Sequence, residues 1–290
     1  MKAPFPYFGG KSKIAGIVWQ LLGSVKHYIE PFFGSGAVLL NRMNYDPHKH
    51  IETVCDKDGN IANVWRSIKF NPEETAKWCD WPVNHADLSA RKKQIIKNKD
   101  QLLENLIKDD IWYDQKIAGY WMWAASCWIG SGLMRVGQRP NISDGGKNLN
   151  IYDWFNDLSE RLRYVRVVCG DWTRVCGGDW QDNMGDVGIF FDPPYGVKDR
   201  CQTIYQEESL TVAGNVRKWC IDRGKIKTYK IVLAGYFEEH QELLKHGWRQ
   251  YRWKTGGGYG NQGKCQGKKN ASRETLFYSP FCNEIELNLI

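Results

Sequence analysis

Short apolar runs alternate along the chain with apolar positions at helical spacing, the pattern of an α/β fold in which strands feed helices. Strands are predicted at 51–56, 164–169, 187–191, 229–234 and 273–278, and another ends at Glu30. Ile14, Ile17, Val18, Leu21 and Leu22 recur on one face of an N-terminal helix. Further helices are predicted at 37–42 and over 89–108, where charges alternate with Ile95, Ile96, Leu102, Leu103 and Leu106. Another opens on Gln206, Glu207 and Glu208, the acidic start that helix N-termini favour, and one more covers 237–246.

Two segments carry chemistry. At 30–36 a strand end runs through Glu30, Pro31 and Phe32 into a turn containing Gly34 and Gly36, then into a helix. Such a turn lets a ligand lie against bare backbone at a helix N-terminus. It lacks both the Gly-x-Gly-x-x-Gly spacing of dinucleotide sites and the Gly-Lys-Ser/Thr ending of triphosphate loops. At 190–196 an apolar strand ends in Asp192, Pro193, Pro194 and Tyr195. The prolines rigidify the exit, so a carboxylate, an exposed carbonyl and a flat ring are held around one planar group. The strand at 51–56 ends in Asp56 about 20 residues past the glycine turn, the interval at which a carboxylate meets ribose hydroxyls. A solvated acid at a strand end is the other reading of Asp56.

These residues resemble the Dam-like adenine-specific DNA N6-methyltransferases, particularly the phage-encoded kind. The resemblance runs over most of the chain and is strongest at 30–36 and 190–196. It implies a Rossmann-like S-adenosylmethionine-dependent methyltransferase fold, with S-adenosyl-L-methionine as cofactor, double-stranded DNA as partner and no metal. Asp192 and the Pro193 carbonyl would orient the amine, with Pro194 stiffening the exit and Tyr195 stacking on a flipped-out adenine. On the donor side the resemblance points to Tyr7, Gly10 and Lys11 in an aromatic-Gly-Gly-Lys opening, to Glu30, Pro31, Phe32, Gly34 and Gly36, to Asp56 and to Asp192. Asp171 and Trp172 follow the strand at 164–169 where family members place groups beside the donor's adenine. A strand cap beside a core tryptophan is the alternative for that pair. Methylation of another amine (cytosine N4, RNA adenine or a protein glutamine) and a non-catalytic DNA-binding relative are the rival functions.

Motif order sets the organisation. The strands ending at Glu30 and at 191 should be neighbours flanking a crevice, with two strands between them in sequence. That takes roughly 60 to 80 residues, fewer than separate Gly36 from Asp192, so an insertion is expected. The division predicted is a catalytic domain of 1–65 and 164–290 around an inserted, mostly helical recognition domain at 66–163. The tryptophans of its aromatic segment, 120–132, read mainly as core packing. Beyond them Arg135, Gln138, Arg139 and Asn141 lie in a polar loop of base-reading composition, where the family carries target recognition. The glycine-rich, acid-free stretch 254–270 carries Lys264, Lys268 and Lys269 and is attracted to phosphates, or is a solvated hairpin loop.

Whole-chain figures narrow the picture further. Length 290 suits a catalytic domain plus an insertion, and a net charge of +7 with 14 tryptophans and 14 tyrosines permits nucleic-acid binding. Nine cysteines without a Cys-x-x-Cys pair, unclustered with the six histidines, point away from disulfides and zinc. No run reaches membrane-spanning length and no signal-peptide segment is read at the N-terminus. A cytoplasmic protein, of a bacterial host or phage-encoded, with no obligate protein partner, is expected.

Overall fold

The computed structural model describes residues 1–6, 11–128, 133–134, 150–178, 185–194, 205–253 and 274–285, with 205–211 described by backbone alone. The described strands are β1 (His27–Glu30), β2 (Ile51–Asp56), β3 (Val165–Cys169), β4 (Val187–Phe191), β5 (Tyr229–Tyr236), β6 (Arg249–Arg252) and β7 (Glu274–Tyr278). They form one seven-stranded sheet in the order β3-β2-β1-β4-β5-β7-β6. The described helices are α1 (Ala15–Leu22), α2 (Ala37–Leu40), α3 (Gly59–Phe70), α4 (Pro72–Cys79), α5 (His85–Lys97), α6 (Lys99–Lys108), α7 (Gln115–Cys127), α8 (Ile151–Leu162), α9 (Thr173–Cys176), α10 (Tyr205–Arg223) and α11 (Phe237–His240). None of the described helices is long and apolar enough to cross a membrane.

By internal packing the chain divides into two compact units. One comprises Met1–Gly10, Phe33–Leu40 and Thr53–Val175; the other comprises Lys11–Phe32, Asn41–Glu52 and Cys176–Ile290.

The second unit carries the parallel strands at the centre of the sheet. β4 pairs in parallel with β1 on one side and β5 on the other, while β7 runs antiparallel to both β5 and β6. Every residue of β4 is buried, as a near-continuous apolar run in the middle of such a sheet should be. Trp219 of α10 packs its ring on Phe191 and Tyr229. The strand order reverses at the β1–β4 pair, which are neighbours as motif order predicts. Ligands of open α/β sheets lie outside the carboxyl ends of the strands at such a reversal.

The first unit holds α3 to α8, the helices of the long interval between the two motifs. Asn63 and Asp114 exchange a reciprocal pair of hydrogen bonds of 2.8 and 2.7 Å, which ties α3 to the start of α7. The Arg91 guanidinium lies 4.5 to 4.9 Å from the ring centres of Trp81, Tyr120 and Trp123 and donates to the Trp78 carbonyl. Trp121, Trp123 and Trp128 are buried, in keeping with a packing role for this aromatic segment.

Three local features differ from expectation. The helix predicted over 89–108 is two helices broken at Asn98, whose side chain bonds back to the Gln94 carbonyl and competes with the helical ladder. The helix predicted at 37–42 stops at Leu40, because Arg42 turns inward to Glu52 and Asn44 adopts a left-handed φ of 54°. β6 was not anticipated, because its four residues, Arg-Gln-Tyr-Arg, form a polar edge strand without an apolar face.

Arg66 is the buried strut of the first unit. Its guanidinium donates to the carbonyls of Val167 (3.0 Å), Leu106 (3.1 Å), Asp109 (2.7 Å) and Trp112 (3.2 Å), joining α3 to β3 and to the end of α6. Replacement by Leu strands two buried and two partly buried acceptors, and a loss of about 2–4 kcal/mol is expected in urea unfolding. A loss below about 1 kcal/mol would show that water replaces the guanidinium at little cost.

Candidate functional site

In the first unit the glycine turn is built around one residue, Gly34. The Gly34 N–H donates to Asp56 Oδ2 at 2.8 Å, and the Gly34 carbonyl accepts from Trp65 Nε1 at 2.8 Å. Gly34 and Gly36 take φ values of 49° and 66°, a region that favours glycine. A Cβ at Gly36 would lie 2.8 Å from the Phe33 ring and 2.9 Å from the Trp65 ring, so space as well as φ requires glycine there. Asp56 also accepts from the Asp58 N–H through Oδ1 at 2.9 Å. Each of its oxygens therefore holds one backbone donor and keeps lone-pair capacity. Desolvation, reinforced by the Asp58 charge and opposed by the two N–H donors, raises its pKa to about 7.

In the second unit the ends of β1 and β4 lie side by side, in a register that pairs Ile29 with Ile189. Glu30, at the end of β1, is buried and accepts from the Tyr28 hydroxyl. Phe32 lies 6.3 Å from Phe191 between ring centres. Asp192 leaves β4 partly exposed, followed by a buried Pro193 and an exposed Pro194. Lys11, expected on the donor side, is buried and pairs with Asp192 at 2.8 Å.

A third group at this place was missed in the sequence. Glu274 opens β7 opposite Tyr236, the last residue of β5, and so stands at the strand edge from which Asp192 emerges. Burial raises its pKa, Lys11 opposes that rise and Asp192 adds to it. Nothing in the local sequence around Glu274 signals this; an antiparallel return of the chain brings it there.

Asp171 and Trp172 follow β3 in the first unit. Asp171 Oδ1 accepts from the Thr173 N–H and hydroxyl at the start of α9, and Trp172 is buried. Tyr7, Gly10, Arg135, Gln138, Arg139, Asn141, Tyr195, Lys264, Lys268 and Lys269 lie outside the described residues.

Two comparisons bear on this arrangement. A family model described as D12 class N6 adenine-specific DNA methyltransferase matches residues 7–254. The Type II methyltransferase M.MjaIII of Methanocaldococcus jannaschii is 28% identical over 202 residues, a match covering 64% of this chain and 66% of that protein. The match thus spans slightly less than two thirds of that relative's length.

The Asp56 shift has a definite sign. Its carboxyl moves from an ordinary 3.8 to about 7, so between those values the folded chain holds a proton that the unfolded chain has lost. The resulting contribution to stability is complete below about pH 4 and lost as pH rises through about 7. Asp56→Asn is therefore expected to flatten the pH dependence of unfolding free energy across that window, measured by denaturant titration. A slope identical to wild type would place the titrating group elsewhere.

Proposed function

The chain belongs to the D12 class N6 adenine-specific DNA methyltransferase family, and from that footing we propose that it methylates N6 of an adenine flipped out of duplex DNA, with S-adenosyl-L-methionine as donor. The observation that carries this reading is the strand exit itself. A carboxylate, Asp192, leaves β4 ahead of two prolines and directly beside the end of β1, at the reversal of strand order.

The residues present fit such a donor. Asp56 keeps acceptor capacity for two ribose hydroxyls after binding its two backbone donors. Gly34 and Gly36 allow the tight turn at positive φ on which the donor side is built. Glu30 supplies negative charge at the tip of β1, with Pro31 and Phe32 leading into the turn. Asp171 takes the donor's adenine amino group through Oδ2, and Trp172 lies against the ring. Tyr7 and Gly10 complete the donor side by resemblance.

S-adenosyl-L-methionine supplies a methyl group already activated by its sulfonium, so the protein's task is chiefly alignment. Asp192 accepts one N–H of the adenine amine and the Pro193 carbonyl accepts the other. Together they aim the nitrogen lone pair and stabilise the positive charge that develops on it. Pro194 holds that exit stiff and Tyr195 stacks on the base. Lys11 occupies Asp192 Oδ2 in the free protein, so the amine takes the other oxygen or displaces the ammonium.

We assign residues 1–65 and 164–290 to catalysis and 66–163 to target recognition, with Arg135, Gln138, Arg139 and Asn141 as base-reading candidates. Lys264, Lys268 and Lys269 serve as phosphate contacts. The protein acts in the cytoplasm of a bacterial cell, from a chromosomal or a phage gene.

The test is donor-dependent label transfer to duplex DNA, RNA and protein, with the modified base then identified. Label is expected on adenine N6 of DNA; label on another acceptor overturns the assignment. Asp192→Ala is expected to lower kcat by roughly two orders of magnitude or more. Affinities for donor and DNA should change less than about threefold, since the lost contacts form chiefly in the transition state. Near wild-type turnover by this variant would remove Asp192 from its role.

A further inference from the structure

Tyr28 and Glu30 stand two residues apart on β1 and therefore on the same face of the sheet. Tyr28 is completely buried, and its hydroxyl donates to Glu30 Oε2 at 2.8 Å. The ring cannot easily swing away, because Trp19 of α1 packs against it with ring centres 4.6 Å apart. Trp19 is itself covered by the Arg42 guanidinium, 4.9 Å from its ring centre. Arg42 is in turn fixed by a buried ion pair with Glu52 at 3.0 Å and by the Val25 carbonyl at 2.5 Å. Burial, with Glu30 and then Glu52 adding to it, holds the phenol well above its ordinary range, so the hydroxyl remains a proton donor throughout the working pH range.

We propose that Tyr28 is a positioning residue that holds the Glu30 carboxylate in one orientation to receive the α-ammonium group of the methyl donor. This rests on the methyl-donor reading above and specifies which part of that ligand meets this end of β1. Among the donor's groups, a buried carboxylate best matches a primary ammonium, which offers both positive charge and three N–H donors. The phenol bond engages one Glu30 oxygen, which fixes the plane of the carboxylate and reduces the entropy lost when the ammonium binds.

The test separates the amino-acid end of the ligand from its nucleoside end. Wild type and Tyr28→Phe, both full-length, are titrated calorimetrically with S-adenosylhomocysteine, which carries the α-ammonium, and with methylthioadenosine, which lacks the whole amino-acid portion. The variant should bind S-adenosylhomocysteine roughly 10-fold more weakly and methylthioadenosine as well as wild type does. In a Glu30→Gln background, Tyr28→Phe should make no further difference to S-adenosylhomocysteine, because the group it positions is gone. Equal weakening toward both ligands would mean general damage to the site and overturn the proposal, as would no weakening toward either. If wild type binds neither ligand, the methyl-donor reading fails and the proposal falls with it. If wild type binds both and only the variant comparison fails, that reading stands and Tyr28 alone is dismissed.

Discussion

Gly34 is clamped through both of its backbone polar groups, and the glycine turn of the first unit depends on that clamp. Its N–H is held by the Asp56 carboxylate and its carbonyl by the Trp65 indole. Trp65 is fully buried and also packs against Phe33 and Phe5, so the indole cannot move without disturbing the surrounding core. The same ring occupies the space that a side chain at Gly36 would require. A strand end, a turn and a helix thereby fix one another, although their residues are spread over more than 30 positions. The turn is thereby held to one backbone path.

The carboxylates of β1 and β2 illustrate how a buried sheet accommodates acids by different means. Glu52 is matched by the Arg42 guanidinium in a buried ion pair. Glu30 accepts from a phenol. Asp56 has backbone N–H donors, and Asp58 works against it. A full counter-charge satisfies a carboxylate structurally and leaves little chemistry to be done. Glu52 accordingly reads as part of the scaffold. Glu30 accepts from a hydroxyl and Asp56 from backbone N–H groups, and both stand at strand ends.

Much of this arrangement was legible in the sequence because it is local. Apolar runs ending in an acid marked β2 and β4 to the residue, and the order of the two motifs was enough to make β1 and β4 neighbours. The illegible parts depend on residues far apart in the chain. The Lys11–Asp192 pair joins the segment before the first helix to the end of the fourth strand. Glu274 arrives through an antiparallel partner of β5 and looks, in sequence, like any polar residue opening a strand. β6 was hidden for the opposite reason. Edge strands of alternating exposure with charged side chains lack the apolar signature by which strands are recognised. The break at Asn98 was missed because the apolar spacing continues across it while the backbone does not.

The charge balance at the end of β4 follows from these placements. One ammonium, Lys11, is directly paired with Asp192 and lies within electrostatic influence of Glu274. With both acids ionised, the cluster carries one negative charge more than the lysine cancels. Such a surplus in a partly desolvated place favours the arrival or growth of positive charge. It also makes exchange feasible. On the function proposed above, an amine that displaces Lys11 from Asp192 leaves the ammonium within the influence of a second carboxylate, Glu274.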